Sequence, residues 1–290
     1  MTNGNAQAGP GRVGLILNAL AFSTIGALLL AFMVSPASAQ DTSFEDGYAA
    51  YERGDFYGAR TIWEQLGEMG DARALFNLGT LYSEGRGTDR DPLTAELYWS
   101  LAADAGHVRA MHNLALSFIA RASGLTEEQA ALEYEAAVTW LQEAADDGFA
   151  NSQYSLGKMY QYGLAVDRND ELAAQLFVAA ANQGFVNAQY NLGKAYRDGR
   201  GVDEDITQST HYFRMAAEQG HVGAQNRLAT RFARGQGVER DDVEALFWAS
   251  LAADQDNATA IENRNALLAR MSNDQVDEAA ARLLAFTQSN

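Results

Sequence analysis

The sequence predicts an all-α fold, an α/α superhelical solenoid of stacked helix-turn-helix repeats. Three observations carry this. A block of text recurs from Ala74, Ala110, Ser152, Ala188, Ala224 and Ala260, at spacings of 36, 42, 36, 36 and 36 residues. A fixed period of this length is the signature of repeats that bury their apolar faces on one another. Within a block a small residue, a leucine and an aromatic follow at four-residue steps, as at Ala188, Leu192 and Tyr196, which is one stripe of an α-helix. The 290-residue chain is also alanine-rich and holds only three prolines, a composition that favours helix.

Residues 1–39 read as a targeting segment. Arg12 precedes an apolar run from Val13 to Val34, then Ser35-Pro36 and "ASA" before Gln40. The small residues Ala37 and Ala39 suit signal-peptidase cleavage after Ala39, which would export the rest to the periplasm or beyond. An uncleaved anchor facing the periplasm is the alternative, because the run is long for a signal core. Residues 40–71 follow as a helical hairpin of tetratricopeptide type, with helices around Phe44–Arg53 and Ala59–Gly70.

The repeats occupy residues 72–258 and start near 72, 108, 150, 186 and 222. In each, the first helix carries the stripe and ends at a glycine pair such as Gly199 and Gly201, since glycine enters left-handed backbone freely. Gly79, Gly157 and Gly193 follow the stripe leucine. An interior glycine costs about 1 kcal/mol, so its recurrence predicts close helix–helix approach there. An acidic residue then caps the second helix: Asp205 with Gln208, and Asp241 with Glu244, have the spacing of a capping box. The second helix carries alanine pairs, as at Ala180–Ala181 and Ala216–Ala217, and closes on a glycine. The second repeat is six residues longer, with Thr126 and Gln129 placed to start its second helix early. Residues 259–290 read as capping helices.

The pattern A-x-x-x-L-G-x-x-Y-x-x-G-x-G-V, an acid, then A-x-x-x-F-x-x-A-A-x-x-G resembles the Sel1-like repeats, relatives of tetratricopeptide repeats. The resemblance runs from about Gly47 to Asp256. It implies a scaffold that binds a protein or peptide in its concave groove, as an adaptor or regulator in the cell envelope, and it implies no catalytic residues. Ala115 and Ala229 replace the helix glycine, Leu164-Ala165 breaks a glycine pair, and Asp256 replaces a closing glycine. Each departure reads as a weakened joint. An inhibitor of a membrane sensor and a cell-wall or β-lactam hydrolase are the rival functions. The second is disfavoured by the absence of cysteine and of a nucleophile–base pair in the text.

Charge narrows the partner. The net charge of -17 repels nucleic acid. The acidic clusters "TDRD", "VDRND", "VDEDI" and "VERDD" recur at one repeat position, which reads as helix capping rather than a metal site, and no cofactor is expected. "GRGVD" lacks the preceding strand and following lysine of a phosphate loop. His107 and His221 share their position with Phe149 and Phe185, so it reads as a packing position; His112 and His211 stand isolated. Against the acidic background, the only two lysines, Lys158 and Lys194, lie 36 residues apart. Arg197, Arg227, Arg231 and Arg234 lie on the same or the next first helix. These six residues form the candidate partner-binding stripe, suited to an acidic peptide. The membrane is expected to be met only through the N-terminal segment, if that segment is retained.

Overall fold

The computed structural model describes residues 43–289, so the N-terminal apolar run and the cleavage site after Ala39 lie outside the described residues. Among the described residues there are fourteen helices and no strand. They pair in chain order: α1 (Phe44–Glu52) with α2 (Phe56–Glu68), α3 (Ala72–Glu84) with α4 (Pro92–Asp104), α5 (Val108–Ala122) with α6 (Glu127–Asp146), α7 (Ala150–Tyr162) with α8 (Asp170–Asn182), α9 (Val186–Asp198) with α10 (Ile206–Glu218), and α11 (Val222–Arg234) with α12 (Asp242–Ala253). α13 (Ala258–Leu268) and α14 (Asn273–Ser289) follow, and both pack on α12. The fold is an all-α solenoid. The chain divides into two compact units, one ending at His107 and the other beginning at Val108, and each is a stack of hairpins. No helix among the described residues is long and apolar enough to cross a membrane.

The opening residues of the second helices are held by aspartate side chains. Asp205 Oδ1 accepts from the backbone N–H of Thr207 and Gln208, and Asp241 Oδ1 from Val243 and Glu244. The reciprocal half of the expected capping box is replaced. The backbone N–H of Asp205 donates to the Tyr196 carbonyl at 2.9 Å, and that of Asp241 to the Phe232 carbonyl at 3.1 Å. The donor a box would satisfy is therefore already bonded to the preceding helix. Glu244 is left to accept from Trp248 Nε1 and from Arg282. In the long repeat Gln129 Oε1 does reach back, accepting from Thr126 N–H at 3.4 Å and Oγ1 at 3.1 Å, and α6 runs to 20 residues against 13 in α8.

The turn between helices is geometrically tight. Gly201 sits at φ +70°, and a Cβ there would stand 1.8 Å from the Asp170 carbonyl oxygen at the start of α8. The glycine-rich stretch is thus a joint pressed against the preceding repeat. At the equivalent turn one repeat earlier the left-handed position is held by Ala165, at φ 54°.

The glycine inside each first helix faces an aromatic ring of its own hairpin. A Cβ on Gly79 would stand 2.4 Å from Trp99 Cδ1, on Gly157 2.8 Å from Phe177 Cε1, and on Gly193 2.7 Å from Phe213 Cδ1. Gly47 faces Trp63 in the first hairpin in the same way. Where the helix carries Ala229 instead, the residue at the aromatic register is Ala249; where it carries Ala115, it is Leu141. All four are buried. The alanines are therefore matched to smaller partners, which corrects the reading of them as weakened joints.

A ladder of glutamines joins the last repeats. Gln153, Gln189 and Gln225 are buried, and each donates Nε2 to a carbonyl of the preceding second helix, Ala145, Ala181 and Ala217, at 3.3 Å. Each Oε1 accepts from the glutamine 30 residues on, Gln183, Gln219 and Gln255, at 2.9, 2.7 and 3.1 Å. Both polar ends of a buried amide are satisfied, as burial requires. The same register holds Leu75 and Met111 in the earlier repeats, where burial is apolar. At the C-terminal end Phe286 of α14 packs edge-on to Phe247 at 5.6 Å and Trp248 at 6.2 Å.

Candidate functional site

The six residues of the basic stripe lie on α7, α9 and α11 of the larger unit. Lys158 and Lys194 are half-buried, not exposed as a solvated stripe would require. Each folds its stem over a tyrosine ring of its own helix. The Lys158 ammonium donates to Tyr162 Oη at 3.0 Å and stands 4.4 Å from that ring's centre, and the Lys194 ammonium lies 5.6 Å from the centre of Tyr190. A lysine buries its methylenes this way while its charge stays near water. The Tyr162 hydroxyl pKa is lowered, first by the bond from Lys158 and also by the charges of Lys158, Lys194 and Arg200. Lys158 is thus the cation in contact with this exposed tyrosine, and the charges of Lys194 and Arg200 act on it without contact.

Arg197 does not contribute a free charge. Its guanidinium grips Asp198 through Nε at 2.6 Å and Nη2 at 2.8 Å, and Arg200 holds the same carboxylate at 2.7 Å. These bonds pull the Asp198 pKa down to about 2. Arg227 and Arg234 are exposed. Arg231 is 7% exposed, so it departs from the expected surface stripe. The repeat register explains this. Lys158 and Lys194 align with Thr230, whereas Arg231 aligns with Met159 and Ala195, both core residues. One residue along a helix is about a quarter turn.

The acidic clusters are occupied by the fold. Asp91, Asn169, Asp205 and Asp241 cap second helices. Asp170 bonds Arg168 at 2.6 Å, and Asp242 bonds Arg240 and Arg270 at 3.1 and 2.6 Å. Asp91, Asp170, Asp205, Asp241 and Asp242 are thus engaged by the fold, whereas Asp89, Asp167, Asp203, Glu204 and Glu239 have no side-chain partner among the described residues.

The histidines at the shared position stack on rings: His107 on Phe76 at 4.5 Å and His221 on Tyr190 at 4.2 Å. Phe185 meets Tyr154 in the same place at 5.0 Å. His112, isolated in the text, acquires a partner 40 residues away: its Nδ1 lies 3.0 Å from Ser152 Oγ. Ser152 is fully buried at a position that is alanine in neighbouring repeats, and Phe149 closes the other side of the imidazole at 5.4 Å. Burial drives the His112 pKa down to about 4. A serine with no exposed surface gives a substrate no approach, and the pair is a packing contact.

A family model described as Sel1 repeat matches the chain five times, over residues 72–107, 108–149, 150–185, 186–221 and 222–257. Among solved structures the chain is similar to a protective antigen of uropathogenic Escherichia coli strains displaying an SLR fold. The identity is 29% and the TM-score 0.74, over 86% of this chain and 54% of that one. The chain thus spans about half the length of that protein. A Sel1 repeat protein from Oxalobacter formigenes shares the fold at 24% identity and a TM-score of 0.69, over 86% of this chain and 100% of that one.

Proposed function

The chain belongs to the Sel1 repeat family, whose repeat scaffold serves protein–protein interaction, and from that premise we propose that it is an exported scaffold that binds an acidic segment of an envelope protein. The segment lies along the first helices of the larger unit. One observation carries the reading. The chain has 38 acidic residues against 21 lysines and arginines, so carboxylates are in excess. Many arginines elsewhere find them: Arg73 bonds Asp71, Arg86 bonds Glu84, Arg240 and Arg270 bond Asp242, while Arg53, Arg90, Arg109 and Arg214 stand apart from one another without an ion pair among the described residues. Lys158, Lys194, Arg227, Arg231 and Arg234 have no carboxylate within ion-pair distance among the described residues. All five lie on three successive first helices. Cations kept apart from a surplus of internal acid are available to an external one, and aligned charges on a repeat surface steer such a partner.

Export rests on the apolar run and the "ASA" before Gln40. N-terminal sequencing of envelope material should begin at Gln40; an intact Met1 or Thr2 would replace export by anchoring.

The binding reading is tested by Lys158→Gln with Lys194→Gln. Glutamine keeps an aliphatic stem beside each tyrosine and removes the charge together with the Lys158–Tyr162 bond. The double variant should fold as the wild type does and retain less acidic partner in affinity capture from the envelope fraction. The deficit should shrink as salt rises, because charges separated by more than about 8 Å are screened at physiological ionic strength. Capture unchanged at low salt would refute the stripe as the binding surface.

A further inference from the structure

Among the described residues Arg231 is the one arginine set into the core. The same register holds Leu81, Met159 and Ala195, at 0%, 2% and 7% exposure, and Arg231 matches them at 7%. Its Nη2 donates to Ser209 Oγ at 3.2 Å, and that hydroxyl donates in turn to the Gly193 carbonyl at 2.7 Å. Its guanidinium carbon lies 6.0 Å from the centre of the Phe213 ring. No carboxylate is near. The charges that act on Arg231 are those of Arg197 and Arg227, both cations. Arg197 is already bonded to Asp198, while Arg227, one turn back on α11, is exposed and has no acid within ion-pair distance among the described residues.

A buried guanidinium without a counter-ion is costly, and a side chain such as methionine fits the same place in the repeat at residues 150–185. Its hydrogen bonding is also incomplete. The hydroxyl of Ser209 uses Nη2 alone, leaving Nε and Nη1 without a partner among the described residues, and neither is an occluded, unsatisfied atom. The two open donors are therefore not sealed from solvent, although the side chain is only 7% exposed, and an exposed second arginine lies one turn away. A guanidinium edge matches a planar two-oxygen acceptor, which it can hold by parallel bonds. A single negative charge balances the single buried positive one, and Arg227 at the rim draws it in.

We propose that Arg231, with Arg227 at its mouth and Ser209 behind it, is a seat for one carboxylate of the bound partner. This rests on the acidic-segment reading above and adds to it the anchoring group and its chemistry. The carboxylate comes from an aspartate or glutamate side chain or from the partner's C-terminus.

Two probes separate these sources on the wild-type chain. N-acetyl-glutamate α-amide with its α-amino group blocked offers a side-chain carboxylate only, and N-acetyl-alanine a terminal one only. Arginine-labelled protein is titrated with each, and with inorganic phosphate, while the Nε–H resonances are followed by NMR. The Arg231 signal is assigned by its absence from Arg231→Met. At least one carboxylate probe should shift it saturably and raise the melting temperature. The melting response should vanish in Arg231→Met and survive in Arg168→Gln, at an exposed arginine outside the stripe. Arg231→Lys, which keeps charge but loses the fork, should weaken it, and covers the case in which the methionine variant fails to fold. No saturable shift with either carboxylate, a preference for phosphate over both, or a response that persists without Arg231 would overturn the seat. Carboxylate binding without any captured partner would instead refute the scaffold reading and leave the seat standing.

Discussion

Adding one methyl group at Gly193 should separate two helices that now touch. In Gly193→Ala the new Cβ would stand 2.7 Å from both Cδ1 and Cε1 of Phe213. The ring is fully buried and cannot swing away. Forcing an extra methyl into such a core costs about 1–3 kcal/mol. Alanine returns about 1 kcal/mol of helix propensity over glycine. The net expectation is a loss of about 0–2 kcal/mol. Phe213→Leu, which installs the residue type that Leu141 supplies at this register, loses apolar contact and costs about 1–2 kcal/mol by itself. In the double variant the alanine methyl enters the space vacated by the ring. The two losses should then fall short of their sum by about 1 kcal/mol. The reverse change, Ala229→Gly, should also destabilise, by about 1 kcal/mol, because Ala249 leaves that methyl room and only helix propensity is lost. Urea unfolding followed by far-UV circular dichroism would measure all four chains, with unfolding slopes compared to detect loss of cooperativity along the array. Additivity within about 0.5 kcal/mol for the pair, or a stabilised Gly193→Ala, would refute the glycine–aromatic matching.

Four further outcomes can be checked by simpler melts. Ala165→Gly relieves a left-handed alanine at φ 54° and should raise stability by about 1 kcal/mol, whereas an unchanged melt would mean the turn carries no strain. His112, neutral with its pKa near 4, is protonated later in the folded chain than in the unfolded one, whose imidazole titrates near 6.5. Its contribution is therefore complete above about pH 6.5 and is lost as pH falls toward 4, by at most about 3 kcal/mol; His112→Phe should flatten that slope. Asp198, titrating near 2, loses its ion-pair contribution only below about pH 4, outside the histidine window. Deleting residues 272–290 uncovers Phe247 and Trp248 and removes the Arg282–Glu244 pair, so stability should fall by about 3 kcal/mol and dye binding to exposed apolar surface should rise; a truncated chain as stable as the whole would show that α14 is dispensable.

Much of the architecture was legible because it is written in local rules repeated along the chain. The period, the stripe of Ala188, Leu192 and Tyr196, the glycine turns and the aspartate caps depend on residues within a few positions of one another. Repetition multiplied each weak signal until the hairpins and their boundaries could be read. The second helix of the long repeat began where Thr126 and Gln129 implied, for the same local reason. What lay across repeats had no such signature. The glutamine ladder joins residues 30 apart by hydrogen bonds that only stacking creates. The capping box failed at Asp205 because Tyr196, on another helix, reached its backbone first. Ser152 found His112 across 40 residues. Two errors at the candidate site have separate causes. Arg197 is paired with Asp198, an adjacent residue in the chain, since the geometry of neighbouring side chains at a helix end is set by their rotamers. Arg231 was placed on the surface by helix membership, although its register, shared with Met159 and Ala195, already pointed inward. The sequence determined which residues form each repeat, because helix and turn formation are local. Tertiary structure decided which charges are spent and which stay open, because pairing depends on distances that exist only once the repeats are stacked.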